Sequence, residues 1–477
     1  MRLFSSTSRS PAQTWLSLLS IASLTVQTLA DPGMDFNPDD PKSIKAAAKK
    51  AAQGMVSFYN GDDPGGIPGV MPGPYYWWLG GAMFNTLIDY WYFTKDSTWN
   101  DMVMRGMMHQ TGENNDFKPT NQSNDLGNDD QAFWAMAALN AAETNFPNPP
   151  KDQPQWLALA QAVFNEQAFD WDKRDDTCGG GLMWQLFEYN PGFNYKNSIS
   201  NGCFFNIASR LAAYTGNKTY ADWAEKTWNW MSDVGLLTDD YTFLDGAYTK
   251  NNENCTQKND LQWSYNAGIF LYGSGMMYKF YENDSKKQEI WQNRTTGVLK
   301  GLKDIFFNKD GIISEVACEP VNTCNNDEQS FKAYTTRYMA ATVQVANFTS
   351  DTILPLLRSS AIAAAKQCSG PDNACGLEWT KGSNYDGMKG PGEQMSAVEV
   401  FLSNLVKSDP PPPPADNNTG SSHGDPGAGD TSGGGGSKGP SLKPPSAITT
   451  GDKAGAGILT AVVLIGVIGM TGWVMIA

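Results

Sequence analysis

The chain of 477 residues is long enough for one large domain or two ordinary ones, and its net charge of −15, with no basic run, argues against a nucleic-acid partner. It contains only two histidines, which excludes a metal site built on several histidine ligands and leaves His109 as the one candidate for a serine–histidine–aspartate triad, since His423 lies in a low-complexity stretch. We therefore expect carboxylates to carry any catalysis, without a metal or another cofactor.

The first 30 residues have the pattern of a secretory signal peptide. Arg2 and Arg9 precede an apolar stretch, residues 14–30, that is too short to span a membrane and ends in small residues at Ala30. We expect cleavage after Ala30 and an exported protein. The alternative is an uncleaved membrane anchor.

From residue 31 onward, two kinds of predicted helix alternate. A helix that is apolar on all faces has to be enclosed by protein, whereas an amphipathic helix lies at a surface. Six enclosed helices alternating with six amphipathic ones predict an (α/α)6 toroid over residues 31–407, with an inner ring inside an outer ring. A linear solenoid would use the same hairpins but would enclose few helices on every side, and no convincing series of β-hairpins is present. The amphipathic segments begin near Pro41, Lys95, Gln153, Asn217, Ser285 and Ser350, and the enclosed ones near Tyr75, Asp130, Asn201, Trp263, Ser330 and Glu393.

The stretches that lead into the enclosed helices combine aromatic residues with Asn, Asp, Gln and Gly. In a closed toroid these stretches surround one end of a central cavity. Flat rings stack on sugar faces, while carboxylates and amides bind hydroxyl groups, so the composition predicts a carbohydrate-binding cleft. Each candidate also has a structural alternative as a core, cap or turn residue. The candidate sugar-binding residues are Trp78, Asn128, Trp184, Asn201, Asp245, Tyr265 and Asn266.

The stretch GNDDQAFWAMAAL, residues 127–139, places two adjacent aspartates directly before an enclosed helix. Asn and Asp are preferred helix caps, and acids in the first turn complement the helix dipole. A cap needs only one side chain, and Asn128 is the candidate for it. Asp129 and Asp130 are then available as a pair of catalytic carboxylates, as in retaining glycosidases, where the two groups lie ~5–5.5 Å apart. Physical reasoning leaves open which of them is the nucleophile and which the acid/base.

Seven cysteines in an exported chain indicate disulfides. Cys318 and Cys324, and likewise Cys368 and Cys375, are close enough in sequence to close small loops. Cys178 and Cys255 can pair over a longer span, which leaves Cys203 as the candidate free thiol. Seven glycosylation sequons are also present, from Asn121 to Asn417.

Residues 408–450 are rich in Pro, Gly and Ser, and we expect them to form a disordered stalk. The last 27 residues, 451–477, end in an apolar tail with no polar flank after it, preceded by small residues. That order is typical of a signal for a glycosylphosphatidylinositol (GPI) anchor, in which the tail is removed, with the attachment residue within 446–452. The alternative is a transmembrane helix.

Several stretches together resemble glycoside hydrolase family 76, the endo-α-1,6-mannanases, and its fungal defective-cell-wall branch of GPI-anchored wall proteins. The stretches are GPYYWWLGGAMFNTLIDYW, LGNDDQAFWAMAAL, TCGGGLMWQ, YKNSISNGCFFNIASRLAAYTGN and WSYNAGIFLYGSG, in that order along the chain.

The resemblance implies an (α/α)6 fold and a retaining mechanism on α-mannosides, with Asp129 as nucleophile and Asp130 as acid/base. It also implies a task in cell-wall biogenesis at the plasma membrane or wall: cleavage of the mannose-containing glycan of GPI proteins and its transfer to wall glucan. Lys332 and Arg337 would be available to a phosphate of such a glycan, although ion pairing is the commoner role of isolated charges.

Two other functions stay open at this stage. The first is a non-catalytic wall protein that binds mannan, against which the retained acid pair argues. The second is a sugar epimerase or lyase on a helical toroid, which would need His109 or a metal.

Overall fold

Within residues 33–173, 177–249, 254–406 and 420–429, a computed structural model describes the protein as twelve α-helices and three short β-strands. The strands are β1 (Tyr195–Asn197), β2 (Gly246–Tyr248) and β3 (Lys258–Asn259). The helices are α1 (Pro41–Val56), α2 (Trp78–Thr94), α3 (Asn100–His109), α4 (Asn128–Glu143), α5 (Trp156–Lys173), α6 (Ser198–Thr215), α7 (Lys218–Asp233), α8 (Ser264–Phe280), α9 (Ser285–Phe306), α10 (Phe331–Val345), α11 (Ser350–Gln367) and α12 (Pro391–Leu402).

The even-numbered helices form a closed inner ring. Each packs against the next even-numbered helix, and α12 packs back against α2. The odd-numbered helices lie outside, with α7 against α6, α9 against α8 and α1 against α12. Nearly all residues of the inner helices are buried. The predicted (α/α)6 toroid is confirmed, with the inner and outer helices at the predicted positions.

All six inner helices run in the same direction, because an outer helix returns the chain between successive inner ones. Their N-terminal ends surround one end of the ring, where Asp129 and Tyr265 line a large cavity. Their C-terminal ends surround the opposite end, where Glu143 and Arg337 line a cavity of about 40 Å³. The fold therefore has a distinct N-terminal face and C-terminal face.

Helices α1, α7 and α9 of the outer layer each start after a capping side chain. Asp40 accepts a hydrogen bond from the backbone N–H of Lys42 at 2.9 Å, and Pro41 follows it as the first residue of α1. Asn217 caps α7 by accepting from the backbone N–H of Thr219 at 2.9 Å, at the position where the sequence predicts that start.

Aromatic rings pack within the inner ring and between the two layers. Trp77 stacks on Trp134 with ring centroids 5.1 Å apart, and Trp171 of the outer layer meets Phe204 of the inner layer at 5.9 Å. Fully buried side chains also include Trp156, Trp291 and Trp379. Much of the aromatic content of the chain is therefore core.

Three disulfides join the predicted partners: Cys178 with Cys255, Cys318 with Cys324, and Cys368 with Cys375. Cys203 is a buried free thiol, as expected.

A small antiparallel sheet crosses the N-terminal face, which the sequence does not predict. β1 pairs with β2 so that Tyr195 lies opposite Tyr248, and β2 pairs with β3. The segment before β1 is held against it by one backbone hydrogen bond, from the N–H of Trp184 to the carbonyl of Tyr195 at 2.7 Å. Strands of two or three residues are too short to show the alternation that identifies strands in a sequence.

Residues 420–429 lie along α5 and differ from the disordered stalk predicted for 408–450. The side chain of Asn165 donates to the carbonyls of Pro426 and Ala428 at 3.0 and 2.9 Å, and the N–H of Asp425 donates to the side chain of Gln161 at 2.7 Å. The other predicted stalk residues, the signal peptide (1–30) and the GPI signal (451–477) lie outside the described residues. Among the helices described, none has the length and hydropathy needed to cross a bilayer.

Buried ion pairs lie at the C-terminal face and beside the first turn of α10. Arg337 donates to Asp89 at 2.7 Å and also to Glu399, and Arg210 donates to both carboxylate oxygens of Glu143 at 2.9 and 2.8 Å. Lys332 is buried and donates to Glu319 at 2.7 Å. Lys332 and Arg337 thus have buried structural partners and do not face the cavity at the N-terminal face.

We expect Arg337→Met to lower the free energy of unfolding by about 3–5 kcal/mol, because it leaves two buried carboxylates without their cation. The matched control is Arg358→Met, which breaks an exposed pair with Asp39 and is expected to leave the free energy of unfolding nearly unchanged. Chemical and thermal unfolding of the purified proteins measures both. Equal losses for the two variants would contradict the structural role given to Arg337.

Candidate active site

The cavity at the N-terminal face has a volume of about 480 Å³. The N-terminal ends of five inner helices and the segments that precede them supply its wall. Its side chains are acidic, aromatic and amide apart from Pro191 and Ile199, and no lysine or arginine lines it among the residues the structure describes. The acids are Asp129, Asp130, Asp245 and Asp327; the rings include Tyr76, Trp78, Phe133, Trp184, Tyr195, Tyr265 and Phe331; the amides are Asn124, Gln185, Asn190 and Asn197.

The start of α4 places both predicted catalytic residues in this cavity. Gly127 is the N-cap residue, and one oxygen of Asp130 accepts a hydrogen bond from its backbone N–H at 2.6 Å. The cap is therefore Asp130, not Asn128 as the sequence suggested. Asp130 serves the backbone with one carboxylate oxygen and still lines the cavity.

Gly127 is needed here because a side chain would collide with the acid pair. A Cβ atom at this position would lie 2.4 Å from an oxygen of Asp129, 2.8 Å from an oxygen of Asp130 and 2.9 Å from the carbonyl oxygen of Trp184.

Asp129 is desolvated, and one of its oxygens, Oδ1, has no hydrogen-bond partner. Burial raises the pKa of Asp129 to about 7, and the charge of Asp327 adds to the rise. The indole N–H of Trp184 and the backbone N–H groups of the first helical turn oppose it by stabilising the carboxylate. The carboxyl group is thus held in place while it titrates near neutral pH.

Three of the cavity carboxylates are each paired with an indole N–H. Trp184 donates to Asp129, Trp78 donates to Asp327 at 3.2 Å, and Trp263 donates to Asp245. Asp245 also accepts from the hydroxyl of Tyr195 and from Asn259. Burial raises the pKa of Asp245, and it raises the pKa of Asp327 to about 6. An indole orients a carboxylate without neutralising it.

The predicted aromatic candidates line the cavity. The ring of Tyr265 stacks on Phe331 with centroids 3.8 Å apart, and Trp78 packs against Phe133 at 4.7 Å. Trp184 is half-buried beside Asp129. Asp245, predicted from its loop, also lines the cavity.

The three predicted amide candidates do not line it. Asn128 donates to the carbonyl of Met183 at 2.9 Å, and Asn201 donates to the carbonyl and accepts from the N–H of Leu182. Both therefore hold in place the segment that carries Trp184. Asn266 is buried in the first turn of α8 without a hydrogen-bond partner for its side chain.

Asp327 and Tyr195 are the main cavity residues that sequence reasoning missed. Asp327 lies in the stretch DEQSFK that leads into α10, so its place before an enclosed helix was the available signal. Its partner Trp78 is 249 positions away in sequence, so the pairing itself has no local signal.

His109 ends the outer helix α3 and does not line the cavity. Among the described residues, the group with ligand atoms close enough for a metal ion is Cys318, Cys324 and Glu328. The two sulfurs are bonded to each other, so this trio offers one carboxylate and no ligand set.

A family model for Glycosyl hydrolase family 76 matches residues 43–416. Mannan endo-1,6-alpha-mannosidase DCW1 of Saccharomyces cerevisiae is 45% identical over 446 residues, covering 93% of this chain and 95% of that protein. The protein of the same name in Candida glabrata is 43% identical, covering 96% of this chain and 99% of that protein.

Solved structures share the fold. Dfg5 from Chaetomium thermophilum, in complex with glucosamine, is 45% identical with a TM-score of 0.77 and covers 83% of this chain and 97% of that one. An α-1,6-mannanase from a Salegentibacter species, at 16% identity and a TM-score of 0.58, covers 76% of this chain and 99% of that one.

We expect Gly127→Ala to lower kcat by about 100-fold while the protein stays folded, because the new methyl group displaces both carboxylates and a shift of about 1 Å costs that much. Gly427→Ala is the matched control, since the nearest atom to its Cβ is 3.6 Å away. Steady-state kinetics with circular dichroism on both variants gives the comparison. Wild-type kcat in Gly127→Ala would contradict the geometry.

We expect Asp327→Asn to shift the pH profile of kcat/KM, because removal of its negative charge lowers the pKa of Asp129 from about 7. If Asp129 acts as the ionised nucleophile, the rate falls as the pH drops through this pKa, and the acidic limb moves to lower pH in the variant. If Asp129 acts as the acid, the alkaline limb moves instead. A profile with neither limb displaced would show that Asp327 does not act on the catalytic pair.

Proposed function

The chain belongs to glycosyl hydrolase family 76, and from that premise we propose that it is a retaining enzyme that cleaves α-mannosidic bonds with Asp129 and Asp130. The observation that carries the proposal is the acid pair at the start of α4. Both residues line one cavity, and a glycine leaves room for both carboxylates. The names of the curated relatives support α-1,6-linked mannose as the sugar at the bond that breaks.

In the first step, Asp130 donates its proton to the glycosidic oxygen as the bond from that oxygen to the anomeric carbon breaks. The carboxylate of Asp129 attacks the anomeric carbon and forms a glycosyl ester. The N–H groups of Trp184 and of the first turn of α4 hold Asp129 for this attack. The leaving sugar departs with the proton.

In the second step, Asp130 removes a proton from an incoming hydroxyl group, whose oxygen attacks the anomeric carbon. The bond to Asp129 breaks, and its electron pair returns to the carboxylate. With water as the incoming group the reaction is hydrolysis, and with a sugar hydroxyl it is transfer. We propose that transfer to wall glucan is the main outcome.

We further propose that the donor is the glycan of a GPI-anchored protein, in which mannose is joined to glucosamine. The protonated amine of an unacetylated glucosamine is a cation, and the cavity wall carries four aspartates. The similar Dfg5 structure holds glucosamine, which supports an amino sugar as a ligand for this chain.

We propose that the mature protein is the domain of residues 31–407 with its C-terminal stalk, attached to the outer leaflet of the plasma membrane through a GPI anchor at 446–452 or transferred to the wall. The signal-peptide and tail patterns support this location. It would place the enzyme beside the anchored proteins that supply the donor.

Incubation of the purified protein with a defined GPI-core glycan and an oligoglucan acceptor, followed by mass analysis, tests the proposal. A glycan–glucan adduct is the expected product, and free cleaved glycan alone would show a hydrolase. If the protein binds the glycan but yields neither product, it is instead a non-catalytic mannan-binding wall protein.

The matched variant for this assay is Asp129→Asn, which is expected to abolish turnover because an amide cannot form the glycosyl ester. Its helix content should equal that of the parent, since Asp130 supplies the cap. Retained turnover in Asp129→Asn would contradict the assignment of Asp129 as the nucleophile.

A further inference from the structure

Two buried glutamines lie behind the catalytic aspartates, on the side of α4 that faces the outer layer. Gln131 is two positions after Asp129 on α4, and Gln167 is on α5, the outer helix that packs against α4. Gln131 is 0% exposed and Gln167 is 1% exposed. Burying an amide costs free energy that hydrogen bonds have to offset, so the partners of these side chains show what they hold in place.

Gln167 holds the first residue of α4. Its amide donates to the backbone carbonyl of Asn128 at 2.8 Å. The side chain of Asn128 donates in turn to the carbonyl of Met183, the residue before Trp184. The indole of Trp184 donates to Asp129. One side chain of the outer layer is therefore connected, through Asn128, to the segment that carries the partner of Asp129.

Gln131 holds the same turn of α4 from the next position on that face. Its amide donates to the carboxylate of Glu166 at 2.7 Å and to the carbonyl of Asp116 at 2.8 Å. Residues 128 and 131 are three apart and share one face of the helix, so residues 129 and 130 lie on the opposite face. The side of α4 away from the cavity is thus tied to α5 and to the segment before α4.

The two acids that receive Gln131 are fixed in their turn. Glu166 is buried and accepts from the ammonium group of Lys118, which also lies 3.8 Å from a carboxylate oxygen of Asp116. Asp116 lies between Asn115 and Phe117, whose φ angles of +56° and +53° are rare for residues other than glycine. Such a backbone persists only where its surroundings impose it. A buried ion pair and a constrained backbone therefore fix the support behind α4.

We propose that Gln131 and Gln167 are positioning residues, which act through the first turn of α4 to hold the carboxylates of Asp129 and Asp130 in the geometry that attack and protonation require. The inference rests on the proposed reaction of this acid pair. Neither glutamine lines the cavity, so neither contacts the sugar. A misplacement of about 1 Å at the reacting atoms can cost about 100-fold in rate. Loss of either amide should therefore slow the chemical step and leave sugar binding intact.

Gln167→Met and Gln131→Met in the full-length protein test the proposal, because methionine is similar in size to glutamine but has no amide. With a GPI-core glycan as substrate, we expect each variant to lower kcat about tenfold, with KM within about twofold of the wild-type value. Circular dichroism and thermal unfolding show whether each variant is folded. If one of the two does not fold, the other decides.

The pH profile supplies a readout that a purely structural role would not move. The N–H groups of the first turn of α4 and of Trp184 oppose the rise in the pKa of Asp129. A displaced Asp129 loses part of these bonds, so its pKa rises further. With Asp129 as the ionised nucleophile, the acidic limb of the profile of kcat/KM should move to higher pH in both methionine variants.

Gln161→Met is the matched control. Gln161 lies on the same helix α5, is 2% exposed and donates to the hydroxyl of Tyr220 on α7 at 2.9 Å, away from α4. The control removes an equally buried amide from the same helix. It should leave kcat and the pH profile unchanged.

Gln167→Glu, assayed at pH 5, is the rescue variant. Burial favours the protonated form of the new carboxyl group, and a protonated carboxyl can donate to the carbonyl of Asn128 as the amide does. At this pH its kcat, relative to wild type, should exceed that of Gln167→Met.

Wild-type kcat in the folded methionine variants, or an equal fall in Gln161→Met, overturns the positioning role. A change confined to KM, or no gain in Gln167→Glu over Gln167→Met, does so as well. Failure of the proposed function is seen separately, because the wild-type enzyme itself would then yield no cleaved glycan.

Discussion

The parallel direction of the six inner helices is the constraint on which both faces of the protein depend. Each helix leaves its first N–H groups and its last carbonyls without helical partners, and its dipole adds partial positive charge at the start and negative charge at the end. Six aligned helices gather these groups at opposite ends of the ring. The N-terminal face therefore favours acids, and four aspartates line its cavity. At the C-terminal face, Arg210 and Arg337 lie among the helix ends with their carboxylate partners.

Because the N-terminal ends of the inner helices meet at one cavity, the two aspartates can complete the start of α4 and also line that cavity. A helix enclosed by protein cannot leave its first N–H groups to bulk solvent, so a side chain has to accept from them. Asp130 accepts from the N–H of Gly127 with one oxygen, and Asp129 accepts from the N–H groups of the first turn. The hydrogen bonds that complete the helix are thus the same bonds that fix the carboxylates in the cavity.

The sequence predicts the toroid well because helices that must be enclosed can be identified from their composition. Helices α4 and α6 are buried on nearly every face, and a closed double ring encloses six such helices whereas a linear solenoid would not. The acids and rings at helix starts are predictable for the same reason. The partners of polar side chains are not, because they depend on distant segments. Asn128 and Asn201 look like sugar ligands in sequence but bond to the segment at 182–183, and Asp327 depends on Trp78 across the ring. Residues 420–429 bind to side chains of α5 mainly through their own backbone groups, and amino-acid composition does not predict such contacts.

The two faces give their buried acids different partners. At the C-terminal face, Arg337 pairs with Asp89 and Glu399, and its positive charge opposes the effect of burial, which still raises the pKa of Glu399 to about 8. At the N-terminal face, the partners are indoles, which donate one hydrogen bond and carry no charge. Burial then raises the pKa of Asp129 to about 7 and that of Asp327 to about 6, so protons can enter and leave near neutral pH. The indoles of Trp184 and Trp78 thus stabilise Asp129 and Asp327 without adding charge, so these acids are held in position while their protonation still varies with pH.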